Sequence, residues 1–164
     1  MSELIDLVDE NNVAIGTTDV DMAHKQKQIH RVVGILLFDE DNNLCLQDEN
    51  DYHKLDLSVG GHVRQGESYD EAAQREMQEE LGVKTPLTHI TTFLPANAKL
   101  GHFWAIYEGQ LPYDWVFSPT DEIKSVSKMS LRDVSEKLKT SPEIFTHGFL
   151  NVFMEYNRIR SGAK

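Results

Sequence analysis

The sequence predicts an α/β fold, one domain in which a mixed β-sheet lies between helices. Three features carry that expectation. The chain has 164 residues, close to the roughly 150 usual for a single domain. Its strand-forming runs are short, and its helical segments fall both between and after them, which gives a sheet covered on two faces. Finally, Arg31 to Phe38 (RVVGILLF) is almost continuously apolar, the pattern of a strand packed from both sides.

Leu4 to Val8 and Val13 to Thr17 flank the polar Asp9-Glu10-Asn11-Asn12, so residues 3–17 read as a β-hairpin. The apolar strand follows, then a turn in DEDNN and a second strand around Leu44-Cys45-Leu46. Further strands are expected at Leu57 to Val63, Ile90 to Leu94, Phe103 to Tyr107 and Ile123 to Ser127. The helix from Ser68 to Leu81 has both ends written into it. Ser68 and Glu71 form a capping box and Gly82 follows the last turn, so orphaned backbone groups find partners. Leu131 to Lys139 is a short amphipathic helix. The last helix is expected from Ser141 to about Ile159, with Ser141 as cap and Pro142 in the first turn, where its missing N–H costs nothing. Phe145, Phe149, Val152, Phe153 and Tyr156 recur in it at helical spacing, a stripe expected to pack on the sheet.

Sixteen Lys and Arg against 27 Asp and Glu leave a formal net charge of −11. Such a surface repels phosphate polymers and anionic lipid, so neither nucleic acid nor a membrane is an expected partner. A phosphate-bearing substrate therefore requires a local reversal of the field. The acidic N-terminus MSELIDLVDE does not read as a signal peptide, no run approaches the roughly 18 apolar residues of a membrane span, and the single cysteine, Cys45, excludes an internal disulfide. A cytoplasmic location is the expectation.

The chemistry concentrates in the helix that begins at Ser68. Glu76, Glu79 and Glu80 stand at i, i+3 and i+4, on one face with Cβ atoms roughly 5–6 Å apart. Like charges at that spacing repel unless a cation sits among them, and hard carboxylate oxygens suit Mg²⁺ or Mn²⁺. Arg75, four residues before Glu79, can orient that carboxylate. Ala73, Met77 and Leu81 supply the apolar face that docks the helix. Glutamate-rich helix faces are commonly solvated surface, and on the helix alone that reading has the advantage.

The whole segment from Gly61 to Val83 alters the balance, because it fits the pattern G-x5-E-x7-R-E-U-x-E-E-x-G-U, U being apolar, at every defined position. A chance match is on the order of one in a million chains at average residue usage. The pattern is the Nudix box, and the chain resembles the Nudix superfamily over residues 61–83 and, in element order, throughout 1–164. The resemblance implies a Nudix-like α/β/α sandwich and a metal-dependent hydrolase. Water would attack phosphorus in line and cleave a pyrophosphate linkage in a small-molecule nucleoside diphosphate derivative. It implies Mg²⁺ (or Mn²⁺) on Glu76, Glu79 and Glu80, with the Gly61 carbonyl as a further ligand. Glu76 is the first choice of general base and Glu122, outside the box, the second. Glu67 is expected to reach the box helix or Arg75, while Gly66 and Gly82 serve backbone turns.

A second resemblance lies within the same superfamily. His24, His30 and His62 fall where isopentenyl diphosphate isomerase carries metal-binding histidines, which implies a second, His-bound Zn²⁺ or Mn²⁺. Each histidine alone is more often an ordinary surface or hydrogen-bonded residue. The isomerase chemistry fits less well. Gly60 stands where that enzyme has an essential cysteine, and no carboxylates occur near Leu100 to His102, where its Glu-x-Glu pair would fall. A strand followed by Gln47-Asp48-Glu49 also lacks the basic residues with which many relatives grip phosphate. Arg31, Lys54 and Arg64 are the candidate substrate-binding cations, and metal ions would carry more of the load. Tyr52, Phe93, Phe103, Trp104, Tyr113 and Trp115 could stack on a base, although core positions account for most such aromatics. The alternatives to a hydrolase are thus an isomerase-like enzyme and a catalytically silent nucleotide-binding module. The hairpin edge also offers a pairing surface for a homodimer.

Overall fold

The computed structural model describes residues 3–49, 54–96, 101–120 and 123–162. The expected hairpin forms from β1 (Leu4–Val8) and β2 (Ala14–Asp19). Its turn is tied by the Asp9 carboxylate, which accepts from the backbone N–H groups of Asn11 and Val13, each at 2.9 Å. No expectation covered the next element, α1 (Val20–Gln26). Its seven residues bury only Ala23, so there is no periodic apolar stripe to read, and its start rests on Asp19 accepting from the Met22 N–H at 2.9 Å.

The apolar run becomes β3 (His30–Phe38), and every residue from Val32 to Phe38 is buried. It runs parallel to β8 (His102–Gln110) through nine registered pairs and antiparallel to β6 (Val59–His62). β4 (Asn43–Glu49) pairs with β5 (Lys54–Asp56) and β9 (Val126–Ser130), and β7 (Leu87–Phe93) pairs with β8. The described residues thus contain nine strands in one mixed sheet.

Alternation along β3 divides the core. Val32, Leu36 and Phe38 face the last two helices, α3 (Leu131–Thr140) and α4 (His147–Arg160), while Val33, Ile35 and Leu37 face α2 (Tyr69–Leu81). The α/β/α layering expected from the sequence is present. α2 has the full capping box at Ser68 and Glu71 and ends on Gly82 at φ +64°.

Several boundaries differ from expectation, three of them for a visible reason. The strand expected at Leu57 to Val63 is the shorter β6, and β5 just before it was not expected, with Leu57-Ser58 between the two. There the buried Ser58 hydroxyl donates to the Cys45 carbonyl at 2.5 Å and accepts from the Leu37 N–H at 2.8 Å, as the chain transfers its pairing from β4 to β3. β9 begins at Val126 instead of Ile123, whose backbone N–H and carbonyl are both hydrogen-bonded to Thr120. The last helix is interrupted. Pro142–Ile144 form a 3-10 turn, Phe145 is extended and bridges Leu55, and Thr146 caps α4 by accepting from the Phe149 N–H at 3.0 Å. The aromatic stripe survives the break. Phe145, Phe149 and Phe153 are buried and stack with centroids 4.6 and 5.1 Å apart.

Candidate active site

The box helix presents its three glutamates unequally. Glu76 and Glu80 are buried, whereas the Glu79 side chain is 41% exposed. Arg75 ties the group together. It meets Glu76 at 2.7 Å, Glu67 at 2.8 Å and Glu79 at 3.2 Å, and donates to the His62 carbonyl at 2.9 Å. Burial pushes the Glu76 carboxyl up to about 7, even though the Arg75 guanidinium beside it favours the anion. Glu67 goes the other way, held below the usual carboxylate range by Arg75 and the Arg64 N–H against the cost of its burial. Glu80 accepts from the side-chain amide of Gln47.

β6 connects this acidic face to a second cluster of donors. Gly61 faces α2 so closely that a Cβ there would collide with the Glu76 carboxylate. The next residue, His62, points to the other side of the sheet, where it pairs in register with Val32. On that side His24 from α1, His30 from β3, His62 from β6 and His102 from β8 bring their ligand nitrogens within 4.8 Å of one another. Among the described residues no other group of three or more His, Cys, Asp or Glu side chains converges this way, the box glutamates included. Burial lowers His62 to about 4 and His102 to about 3, reinforced by the neighbouring histidines, and His30 is lowered by burial too. These imidazoles are neutral near pH 7, the form that ligates metal. His30 Nε2 and His102 Nε2 are buried without a hydrogen-bond partner, an open donor pair that a metal ion would satisfy.

The two clusters border one cavity of about 830 Å³. Glu80, Gln47, Gly60 and Gly61 lie on one part of its wall and His24, His62 and His102 on another. Asp56, Trp104, His147, Gly148 and Asn151 also line it. Asp56 stands opposite Gln47 in the β4–β5 register, and its Oδ1 accepts from the Thr146 hydroxyl and the Leu57 N–H, both at 2.7 Å. Burial raises its carboxyl above the usual range in spite of both bonds.

The candidate cations are not on this wall. Arg31 is bound to Asn12 at 2.8 and 2.6 Å and lies over the Tyr69 ring, securing the hairpin turn. Arg64 pairs with Glu3 and stands 3.6 Å from Glu79. Lys54 lies on β5 in register with Glu49. Among the described residues that line the cavity there is no lysine or arginine. Glu122 and Tyr52 lie outside the described residues.

Sequence reasoning missed His102, Asp56 and Asn151. His102 becomes visible only once His30 and His102 are known to be partners in the β3–β8 ladder, a pairing 72 residues apart in the chain that no local pattern announces. Trp104, two residues on, shares its face.

Comparison with known proteins identifies the family. A family model described as the NUDIX domain matches residues 28–148. An isopentenyl-diphosphate Delta-isomerase of Serratia proteamaculans is 32% identical over 94% of this chain and 92% of its own length. A Nudix hydrolase of Deinococcus radiodurans is 31% identical over 73% of this chain and 74% of its own. A crystal structure, also from Deinococcus radiodurans, superposes with a TM-score of 0.76 at 26% identity and covers 99% of this chain and all of that one.

Proposed function

The chain belongs to the NUDIX domain family, and from that premise we propose that it is a metal-dependent hydrolase of a pyrophosphate linkage in a nucleoside diphosphate derivative. One observation carries the reading. The cavity offers an anionic substrate no lysine or arginine among its described residues, yet it is bordered by Glu80 and Gly61 of the box. A diphosphate can enter only with dications already there or arriving with it. The residues suit such ions. The box donors are hard oxygens, and Gly61, having no side chain, lets the Glu76 carboxylate lie directly against the backbone of β6.

In this reading Glu76, Glu79 and Glu80, with the Gly61 carbonyl, hold Mg²⁺ or Mn²⁺. An ion held there would supply positive charge to offset that of the diphosphate as its linkage breaks. Arg75 fixes the carboxylates, since one guanidinium contacts Glu67, Glu76 and Glu79 together. Glu76, poised near neutrality by its burial, is the group suited to take the proton from the attacking water. Trp104 and Asn151, on the wall away from the box helix, give the nucleoside an apolar face and an amide.

An isomerase-like activity is the second reading, favoured by the likeness to isopentenyl-diphosphate Delta-isomerase over most of the chain. It has to proceed without a cysteine at Gly60, and Cys45 is no substitute because it is buried on β4 among the residues packed against α2. The deciding experiment is a panel of nucleoside diphosphate sugars, dinucleoside polyphosphates, nucleoside triphosphates and isopentenyl diphosphate, assayed with Mg²⁺ and with Mn²⁺. Phosphate-bond cleavage lost in the Glu79→Gln, Glu80→Gln double variant supports the hydrolase. Allylic product supports the isomerase. Binding without turnover shows a silent module.

A further inference from the structure

We propose that Asp56 selects the substrate by its nucleobase, taking a base with an exocyclic amino group beside a ring nitrogen, cytosine or adenine, whose amine donates to Asp56 Oδ2 while its face lies on Trp104. The subsite rests on the nucleoside diphosphate reading of the same cavity. It begins from an unfinished set of hydrogen bonds. Asp56 Oδ1 accepts twice, from the Thr146 hydroxyl and the Leu57 N–H, both at 2.7 Å. Among the described residues nothing donates to Oδ2, and no lysine or arginine borders the cavity that Asp56 lines.

A half-buried carboxylate served on one oxygen only is costly, and a ligand that brings a donor to the other recovers that cost. The donor belongs to the organic end of the substrate. Phosphate oxygens are repelled by Asp56, so the diphosphate lies toward Gly61 and Glu80, where dications offset its charge. Trp104, Leu57 and Val32, which also line the cavity, are buried and apolar. Such a wall suits a flat ring better than a sugar, whose hydroxyls would each need a polar partner. Packing holds the indole in place. A Cβ at Gly34 would stand 3.2 Å from Trp104 Cε3, and the His102 ring meets Trp104 edge-on with centroids 6.0 Å apart.

Asn151 supplies the second half of the recognition. Thr146 caps α4 and donates to Asp56, so the carboxylate stands at the start of the helix whose second turn carries Asn151. Both residues line the cavity, and among the described residues the Asn151 amide has no partner. A carboxylate that accepts from the amine and an amide N–H that donates to the adjacent ring nitrogen complement the edge shared by cytosine and adenine. Uracil and hypoxanthine reverse both groups, presenting a carbonyl oxygen and a ring N–H. Asn151 can turn its amide over to suit them. Asp56 cannot, because an ionised carboxylate only accepts, so the discrimination falls to Asp56.

The test compares bases that differ at this edge. Turnover of CTP against UTP and of ATP against ITP is measured at about pH 8 with Mg²⁺, and binding of CMP, UMP, AMP and IMP is measured by calorimetry. In the pair that is used or bound better, the amino base should be favoured by at least about tenfold in kcat/KM and in affinity. Asp56→Asn keeps an acceptor for Thr146 and Leu57 but turns an amide N–H₂ toward the base, so the preference should vanish or reverse. Asn151→Ala removes an amide that holds nothing else among the described residues, and it should lower affinity for the favoured base several-fold; it carries the test should Asp56→Asn fail to fold. No cleavage of any nucleotide, with CMP or AMP still bound more tightly than UMP or IMP, would remove the hydrolase reading and leave the subsite standing. Amino and keto bases cleaved and bound alike, or a loss in Asp56→Asn that falls equally on both members of a pair, would overturn the proposal.

Discussion

Two adjacent glycines on β6 provide a controlled test of how the box glutamates are held. In Gly61→Ala the new methyl would lie 2.6 Å from Glu76 Cγ and still closer to its carboxyl group, where ordinary contact begins at 3.4 Å. The Glu76 side chain is only 9% exposed and is engaged by Arg75, so it cannot swing freely into solvent. It must shift by about 1 Å, a displacement that can reduce turnover by about 10²-fold when it misplaces a catalytic group. In Gly60→Ala the nearest atom, Leu57 Cδ1, is 3.6 Å away, an ordinary contact. Neither glycine needs a positive φ, so alanine imposes no backbone strain at either place. Turnover of the best substrate from the panel, measured at saturating Mg²⁺, should fall by about two orders of magnitude in Gly61→Ala and stay near wild type in Gly60→Ala. Urea unfolding of both variants checks that the loss is not one of folding. Wild-type turnover in Gly61→Ala, or equal losses in the two, would refute the placement of Glu76 at the reacting centre.

Three further outcomes follow from the packing and the buried groups. Phe149→Ala removes the middle ring of a buried stack and should cost about 3–5 kcal/mol in urea unfolding; a loss under about 1 kcal/mol would mean that the stripe is not core. Asp56 has its carboxyl raised above its usual 3.8, chiefly by burial, so the stability it contributes is present below that value and fades as pH rises through the raised one. Asp56→Asn keeps an acceptor for Thr146 and Leu57, and its stability should therefore fall less than that of wild type as pH rises above about 4; parallel curves would contradict the assignment. The Cys45 thiol, buried and pushed up to about 12, should resist a disulfide exchange reagent in the native state and react promptly in urea, and fast native reaction would place it elsewhere.

Local signals made much of this molecule legible from its sequence. The α2 caps are spelled out by Ser68, Glu71 and Gly82, and the two-sided burial of β3 follows from RVVGILLF. The glutamate constellation and its tie to Arg75 were readable for the same reason, since i, i+3 and i+4 spacing is a property of the helix itself. Elements governed by tertiary contacts were not legible. α1 has almost no buried face, and the break before α4 depends on Phe145 bridging Leu55 in a distant strand. The histidine cluster shows the division most clearly. Three members could be named from the chain, while the fourth required the parallel pairing of β3 with β8, which no residue pattern near His102 encodes.

β6 spans only four residues, yet it is the partition between two chemistries, with carboxylate oxygens on one side and imidazole nitrogens on the other. Its alignment against β3 acts as a gauge. A slip of a single residue would turn an imidazole into the carboxylate pocket and leave hydrogen atoms facing the histidines, disarming both at one stroke. Insertions or deletions between Val59 and His62 should therefore be far less tolerated than a replacement such as Gly60→Ala, and a library that varies the length of this short ribbon would reveal it.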